Sequence, residues 1–319
     1  METGSAEHPA RLRVGIIGPG RAGTALGRAL EAAGHRVVAA HAISEASVTR
    51  VRDNFRLARL ADPAEVIEDC DLVLLTVPDD DLPALVRGLA DTGAPYGGRL
   101  IVHASARYGI GVLEPATEAG ALPLALHPVM TFAGREDDAD RVKGTCFGVT
   151  APEQLRAVAE VLVLEMGGEP VVIPEEGRPL FHAALTLAAD HVIGLVAEAA
   201  DLLSRAVEGP APAGPPLGQP AAGPPGGAAP AVPPARLLRP VLAAALDNAV
   251  RLGDLALTGP AARGDAAAVA ADLAALRAGS PHAAAAYRAL ARLTAGRAAA
   301  AGRLRQAEAQ RLSGVLDEE

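Results

Sequence analysis

The sequence contains no tryptophan, and aromatic residues of any kind make up only 2% of it. A core built without rings must come from Ala, Leu and Val, whose small side chains favour close helix packing. Cysteine is equally scarce. Cys70 and Cys146 lie far apart with no CxxC spacing, which argues against a disulfide framework or a zinc site and points to a reducing compartment. No metal is expected. Basic residues are in deficit, the formal charge being −9, and no dense Lys/Arg run occurs. The sequence therefore argues against a nucleic-acid partner, because phosphate backbones demand concentrated positive charge. The stretch Met1–Arg11 is polar, contains Pro9 and lacks the apolar run of a signal peptide. The most apolar long segment, Phe181–Leu203, carries Asp190, His191, Glu198 and Asp201. Charges at those depths are expensive in a bilayer, so a buried helix of a soluble, cytoplasmic protein with no membrane partner is expected.

What is abundant is apolar sequence, half of a chain of 319 residues, enough for two domains. In the first half, short apolar runs alternate with helical patterns. Arg13–Gly18, Arg36–Ala42, Asp71–Val77, Arg99–Ala104, Leu122–His127 and Gly144–Thr150 read as strands, with helices over Thr24–Gly34, Glu45–Phe55, Leu82–Asp91 and Gly111–Ala119. Continuously apolar strands separated by helices predict a parallel sheet covered on both faces, in an α/β Rossmann-type domain over 13–152. Ligands of such sheets bind at the carboxyl edge, where strand order reverses. Beyond Pro152 the pattern is helical: Glu153–Met166, Pro179–Val207, Leu237–Leu257, Ala266–Ala278 and Pro281–Arg311. This predicts an all-α domain over 153–319, interrupted by a disordered Pro/Ala/Gly insert at 209–235, with a disordered tail at 1–12.

The strongest local signal is Gly18-Pro19-Gly20-Arg21-Ala22-Gly23, a GxGxxG motif between an apolar strand and a helix. The first glycine permits the tight turn, the second the close approach of a pyrophosphate, and the third the packing of helix on strand. The helix N-terminus then faces the phosphates, and Arg21 can add a charge. An NAD site usually has an acid at the end of the second strand, yet Ala40-His41-Ala42-Ile43-Ser44-Glu45 has none there. Ser44 and Ser47, with His41 or Arg50 nearby, suit a 2′-phosphate, so NADP is favoured, while Glu45 keeps NAD open. Thr76-Val77-Pro78 ends a strand beside the expected ribose position, and Asp79–Asp81 read as a solvated helix N-terminus.

Other strand ends carry His103-Ala104-Ser105 and His127-Pro128, candidates to touch nicotinamide or substrate. His182, Thr186 and Asp190 are spaced i, i+4, i+8 and share one face of a continuous helix. His182 is a candidate proton donor, with Asp190 orienting it. Arg263 is a candidate ligand for a substrate carboxylate, and Asp265 a cap for the helix after it.

Gly18–Gly23, Leu75–Asp79, His103–Gly109, Leu126–Phe132, Phe181–Ala184, Leu257–Asp265 and Tyr287–Thr294 together resemble the Rossmann-like proteins with a C-terminal domain of unknown function. These are similar in plan to pyrroline-5-carboxylate reductase and ketopantoate reductases. The resemblance implies a nicotinamide cofactor on the first domain, a helical second domain that often completes a homodimer, and a small-molecule active site between domains. The group shows Asn where this chain has Asp190 and Gly where it has Ala106. Familiar ketopantoate reductases use a Lys on the helix that carries His182, and none lies here. The resulting expectation is NADPH-dependent reduction of a small oxo acid, ketopantoate first, with Ser105 or Arg263 holding the carboxylate. His127-Pro128 leaves open a prephenate-type NAD-dependent dehydrogenase, and a non-catalytic dinucleotide sensor or scaffold is the third alternative.

Overall fold

A computed structural model describes residues 11–208 and 234–318. The expected disordered tail and insert fall outside them, apart from residues 11–12 and 234–235 at their inner margins. The described chain forms two compact units that meet in sequence at Asp190 and His191.

Unit 1 runs β1 (Arg13–Ile17), α1 (Arg21–Ala32), β2 (Arg36–His41), α2 (Glu45–Asn54), β3 (Arg59–Leu60), α3 (Pro63–Asp69), β4 (Leu72–Leu75), α4 (Leu82–Asp91), β5 (Leu100–His103), α5 (Glu114–Glu118), β6 (Leu122–Pro128), β7 (Cys146–Thr150), α6 (Arg156–Glu165), β8 (Glu169–Val172) and α7 (Arg178–Ala188). The strands form one sheet in the order β3-β2-β1-β4-β5-β6-β7-β8. All neighbours are parallel except β6 and β7. Strand order reverses between β1 and β4, as the Rossmann pattern requires. The central strands are buried on both faces, which explains their unbroken apolar runs. One face is covered by α1, α2 and α6 through Leu26, Leu30, Phe55 and Leu162. The other is covered by α3, α4 and α5 through Val66, Ile67, Val86 and Ala116. With few rings available, fit comes from small residues. A Cβ at Gly27 would fall 2.6 Å from Ile16 Cδ1 and 2.8 Å from Phe55 Cζ, so α1 lies close enough to the sheet to exclude one.

Unit 2 contains α8 (Asp190–Glu208), α9 (Pro234–Leu252), α10 (Pro260–Arg263), α11 (Ala266–Gly279), α12 (Pro281–Ala300) and α13 (Gln306–Asp317). Val269, Leu273, Ala291, Leu312 and Leu316 form its main core. Asp265 caps α11 as expected, its Oδ1 accepting from the Ala268 amide at 3.1 Å.

Several elements differ from expectation. The sheet does not stop at Thr150. After the Gly167-Gly168 break, the chain returns as β8 alongside β7, and unit 1 extends to Asp190 rather than Pro152. The single helix expected over Pro179–Val207 breaks at Ala189, where φ is −111° and ψ −70°. The one expected over Pro281–Arg311 turns at Gly302, between α12 and α13. The apolar run Phe181–Leu203 is not buried among the described residues. Ile193 is 63% and Leu187 58% exposed, although Glu175–Val207 is apolar and long enough to pass for a membrane span by composition.

The close approach at Gly27 makes a stability prediction. Gly27→Ala gains helix propensity but forces Ile16 and Phe55 apart, so a net loss of about 1–2 kcal/mol is expected. Chemical denaturation at neutral pH checks it; an unchanged or raised midpoint would show that the interface yields.

Candidate functional site

β1 delivers the chain into the glycine loop at the point of strand reversal. Gly18 has φ +82°, which a residue with a Cβ rarely adopts. Its amide donates to the His41 carbonyl at 3.1 Å, and its own carbonyl accepts from the Gly20 amide at 2.7 Å and from Thr76 Oγ1 at 2.8 Å. A Cβ at Gly23 would fall 2.2 Å from Thr76 Oγ1, so the helix seats directly on the β4 end. At Gly20 the situation is opposite: the nearest atom to an added Cβ is 3.9 Å away, so a side chain would project into open space. Gly20 is the N-cap of α1 and makes no side-chain cap, which leaves the first-turn amides without a side-chain acceptor. Gly18, Pro19, Gly20, Ser44, Thr76, Val77 and Pro78 line one cleft of about 540 Å³, a size typical of ligand sites. Seven of the expected cofactor residues are thus brought together. Arg21 lines a neighbouring cavity, Ala22 and Gly23 lie in the first turn of α1, and Ser105 stands at the β5 end, outside the lining.

The β2 end lacks a carboxylate. His41 Nδ1 lies 3.0 Å from the Ala61 carbonyl. Ser44 caps α2: its hydroxyl accepts from the Ser47 amide at 3.2 Å and donates to Ser47 Oγ at 2.9 Å. The Arg50 guanidinium donates to the same Ser47 hydroxyl at 3.4 Å. Glu45 opens α2 and is exposed.

The other half of the edge is organised by Arg178, which is 1% exposed. Its Nε donates to Thr150 Oγ1 at 2.7 Å, and its terminal nitrogens donate to the carbonyls of Ser105 (3.3 Å), Ala125 (3.1 Å) and Gly148 (3.0 Å). No carboxylate forms an ion pair with it among the described residues. Burial lowers its pKa to about 10, with Glu175 acting against the shift. The guanidinium carbon lies 5.8 Å from the centre of the Phe181 ring. The His127 ring meets Phe181 edge-on, with centroids 5.8 Å apart and planes at 85°.

His127 is half-buried, and its Nδ1 lies 2.8 Å from the Ala104 carbonyl. A carbonyl can only accept, so Nδ1 carries the hydrogen and Nε2 is left as an acceptor. Burial lowers the His127 pKa; the Ala104 bond opposes it, Arg178 and His182 add to the lowering, and Asp79 acts against it. His182 lies one turn beyond Arg178 on α7 and is half-buried.

Two expected site residues, His103 and Arg263, take other roles, and a third, Asp190, is separated from its expected partner. His103 is fully buried, with Nε2 donating to the Gly109 carbonyl at 2.8 Å and Nδ1 accepting from the Ser105 amide at 3.2 Å. Both ring nitrogens are spent on the loop after β5, so His103 holds that loop instead of meeting substrate. Asp190 is exposed and lies beyond the break at Ala189, so the continuous helical face on which its partnership with His182 rested is interrupted. Arg263 belongs to unit 2, where it is exposed and donates to the Thr258 carbonyl of its own turn. Ser105 is buried and its hydroxyl accepts from the amides of Arg107 and Tyr108. Sequence reasoning missed Arg178 and Glu175. The Glu175 carboxylate accepts from the amides of Ile110 (2.8 Å) and Gly111 (3.0 Å), tying the segment before α7 to the β5 loop. The available signal was an arginine placed directly before an apolar helix, which also fits a solvated helix start.

Residues 1–128 match a Rossmann-like domain, and residues 145–294 match the domain of unknown function DUF2520. This chain is a Rossmann-like domain followed by DUF2520. No curated protein matches the sequence. Solved structures share its fold. A protein from Bacteroides fragilis assigned as an NADP oxidoreductase is 20% identical, with TM-score 0.68, over 90% of this chain and 98% of that one. An imine reductase from Streptomyces aurantiacus is 15% identical, with TM-score 0.62, over 94% and 99%. A 1-pyrroline-5-carboxylate reductase from Streptococcus pyogenes is 16% identical, with TM-score 0.51, over 76% and 80%. Within unit 1, the DUF2520 segment supplies Arg178, Thr150 and Gly148, while Ser105 and Ala125 belong to the Rossmann-like segment. The guanidinium therefore bolts the two segments together.

The burial of His103 has a consequence for pH. Burial, chiefly, with help from Arg178 and His127, pushes its pKa down to about 4 against the Gly109 bond, from 6.5 ordinarily. The folded protein thus binds fewer protons than the unfolded chain. The stabilisation is complete above about pH 6.5 and is lost as pH falls toward about 4, on the order of 3 kcal/mol in all. His127 shifts in the same direction. Denaturant midpoints measured from pH 7.5 to 4.5 should fall, with a shallower fall in His103→Gln; an equal slope in both would assign the acid sensitivity elsewhere.

Proposed function

We propose that this chain is an NAD(P)-dependent oxidoreductase that reduces a small oxo acid with NADPH, ketopantoate being the first substrate to test. The observation that carries the cofactor is the uncapped start of α1 at the strand reversal, with open space where a Gly20 side chain would stand. An N-terminus without a side-chain acceptor beside a glycine cradle suits a pyrophosphate. Ser44, Ser47 and Arg50 at the acid-free β2 end favour a 2′-phosphate over bare ribose hydroxyls, and so favour NADP over NAD. The solved structures of like fold include a B. fragilis protein assigned to NADP.

When bound, the nicotinamide supplies the hydride. The protein's own groups supply orientation and protons. Arg178 is cationic and bonded only to neutral acceptors, so its field is offset only at a distance, by Glu175. That field favours an anionic substrate, an oxo acid, over a cationic one. His127 presents an Nε2 acceptor that can fix a hydroxyl or ammonium hydrogen. His182 is the proposed donor to the developing alkoxide. The same Nε2 favours a second reading, oxidation of an alcohol with NAD, in which His127 takes the hydroxyl proton.

The protein is further proposed to work as a soluble homodimer. On α8 and α9, Ile193, Val207, Val241, Leu246 and Val250 are all more than half exposed. Apolar faces of this extent mark association surfaces, and the charges at Glu198 and Asp201 suit an aqueous partner face better than lipid. Sedimentation should give a dimer, and Leu246→Asp should shift it to monomer; a monomeric wild type would remove the proposal.

Titration with NADPH and NADH, followed by nicotinamide fluorescence, tests the cofactor. Saturable NADPH binding is expected, tighter than NADH. Turnover of ketopantoate and related oxo acids should then fall by about 10²–10⁴-fold in His182→Ala with cofactor binding intact. Turnover only in the NAD-dependent oxidising direction would select the second reading. Tight binding with no turnover across the panel would make the protein a dinucleotide sensor.

A further inference from the structure

Beside the cofactor cleft, on the outer side of α1, lies a second cavity of about 150 Å³. Its walls are the outer face of α1, the second half of α2 through Arg50 and Asn54, and the loop before β7. Arg21, Arg28, Arg50 and Arg135 all reach it. Their charges are unequally compensated. Arg135 pairs with Asp137 at 2.9 Å. The Asp138 carboxylate is spent on the amides of Gly134 (2.7 Å) and Arg135 (3.1 Å) and on Arg141 (3.1 Å). Arg28 donates to a neutral acceptor, the Glu136 carbonyl at 3.0 Å. Arg50 donates to the Ser47 hydroxyl. Among the described residues, no ion pair forms with Arg21, Arg28 or Arg50. Thr24, between Arg21 and Arg28 on the same face of α1, has a buried hydroxyl with no hydrogen-bond partner.

Three guanidinium groups that form no ion pair among the described residues line one small cavity, whose wall also holds Glu136 and the already committed Asp138, and they repel one another. An unpartnered hydroxyl in the same wall is a further cost. A single tetrahedral oxyanion relieves the repulsion, since it accepts from several guanidinium groups at once, beside the unpartnered Thr24 hydroxyl. The cavity has room for such a group but not for a nucleotide. We propose that this cavity binds a phosphate dianion or phosphate monoester.

Two sources carry that chemistry. One is free phosphate or a small phosphate ester, an effector held against α1. The other is the 2′-phosphate of NADPH in the adjacent cleft, reached across Ser47 and Arg50; this source alone rests on the cofactor reading above. Isothermal titration with inorganic phosphate separates them, using the full chain and the variants Arg28→Gln, Arg50→Gln and Thr24→Val, each first shown to be folded by its unfolding transition. Saturable phosphate binding is expected in the unaltered protein, weakened about tenfold or more in Arg28→Gln or Arg50→Gln. Phosphate that competes with NADPH but not NADH assigns the site to the cofactor's own phosphate. Phosphate that binds alongside saturating NADPH assigns it to a separate effector. Phosphate binding with no dinucleotide binding would sink the cofactor reading and leave the anion site standing. No saturable binding by the unaltered protein, or equal binding by the arginine variants, overturns the proposal.

Discussion

The buried guanidinium of Arg178 is the interaction on which the rest of unit 1 depends. It is nearly free of solvent, it is charged, and every partner it has is neutral. Placing a cation there is costly unless its hydrogens are satisfied. Three backbone carbonyls and a threonine hydroxyl supply that compensation, and the Phe181 face adds a cation–π contact. The carbonyls come from β6, from β7 and from the loop after β5, so one side chain fixes the relative positions of three consecutive elements at the carboxyl edge. Glu175 acts on the charge from nearby, but no carboxylate pairs with the guanidinium among the described residues, and its field still reaches the two histidines beside it. That field contributes to holding His103 and His127 neutral, both of them already disfavoured as cations by burial. Fold and site electrostatics thus share a cause.

The same bias runs along the whole edge. At one end stands the uncapped amide end of α1, next to Arg21 and Arg50; at the other stands Arg178 beneath His127. A protein with an excess of acidic residues has gathered, along this side of its sheet, arginines that form no ion pair among the described residues. Net charge is a statement about solubility and long-range partners, and it does not report local fields. The overall deficit of basic residues argues against a nucleic-acid surface, but it says nothing against binding a small polyanion where the arginines converge.

What the sequence made legible was local. Gly18, Gly20 and Gly23 act within six residues, and each imposes a condition that its spacing already expresses: a turn, an open approach, a close seat against Thr76. The apolar runs of β1, β4 and β5 are continuous because both faces are buried, and that too is written residue by residue. What was hidden depends on partners far along the chain. His103 looked like a ligand because it ends a strand at the functional edge; its roles are set by Ser105 and Gly109, whose position follows from the loop's path. Arg178 finds its acceptors 28 to 73 residues away. The strand β8 is four residues long, too short to announce itself by alternation, and it exists because β7 offers it an edge. Helical periodicity through Pro179–Val207 was real, but periodicity does not register a break at Ala189 that costs only one turn.

The placement of Arg178 also explains why the sheet unit does not end where the Rossmann-like match ends. That match stops at residue 128, the last of β6. A sheet closed there would leave Ala125 and Ser105 facing a missing guanidinium. It would also leave one face without α6, whose Leu162, Val163 and Met166 pack with Leu124, Leu126 and Phe147. β7 runs antiparallel to β6, α6 carries the chain back over one face, and β8 then runs parallel to β7, after which Glu175 ties the chain to the loop after β5 and Arg178 opens α7. The path from Cys146 to Ala188 therefore both completes the core and carries a cation, with Phe181 and His182 behind it, to His127 and the loop after β5. By this logic the segment shared with DUF2520 contributes to the fold of the first unit before it contributes anything to the second.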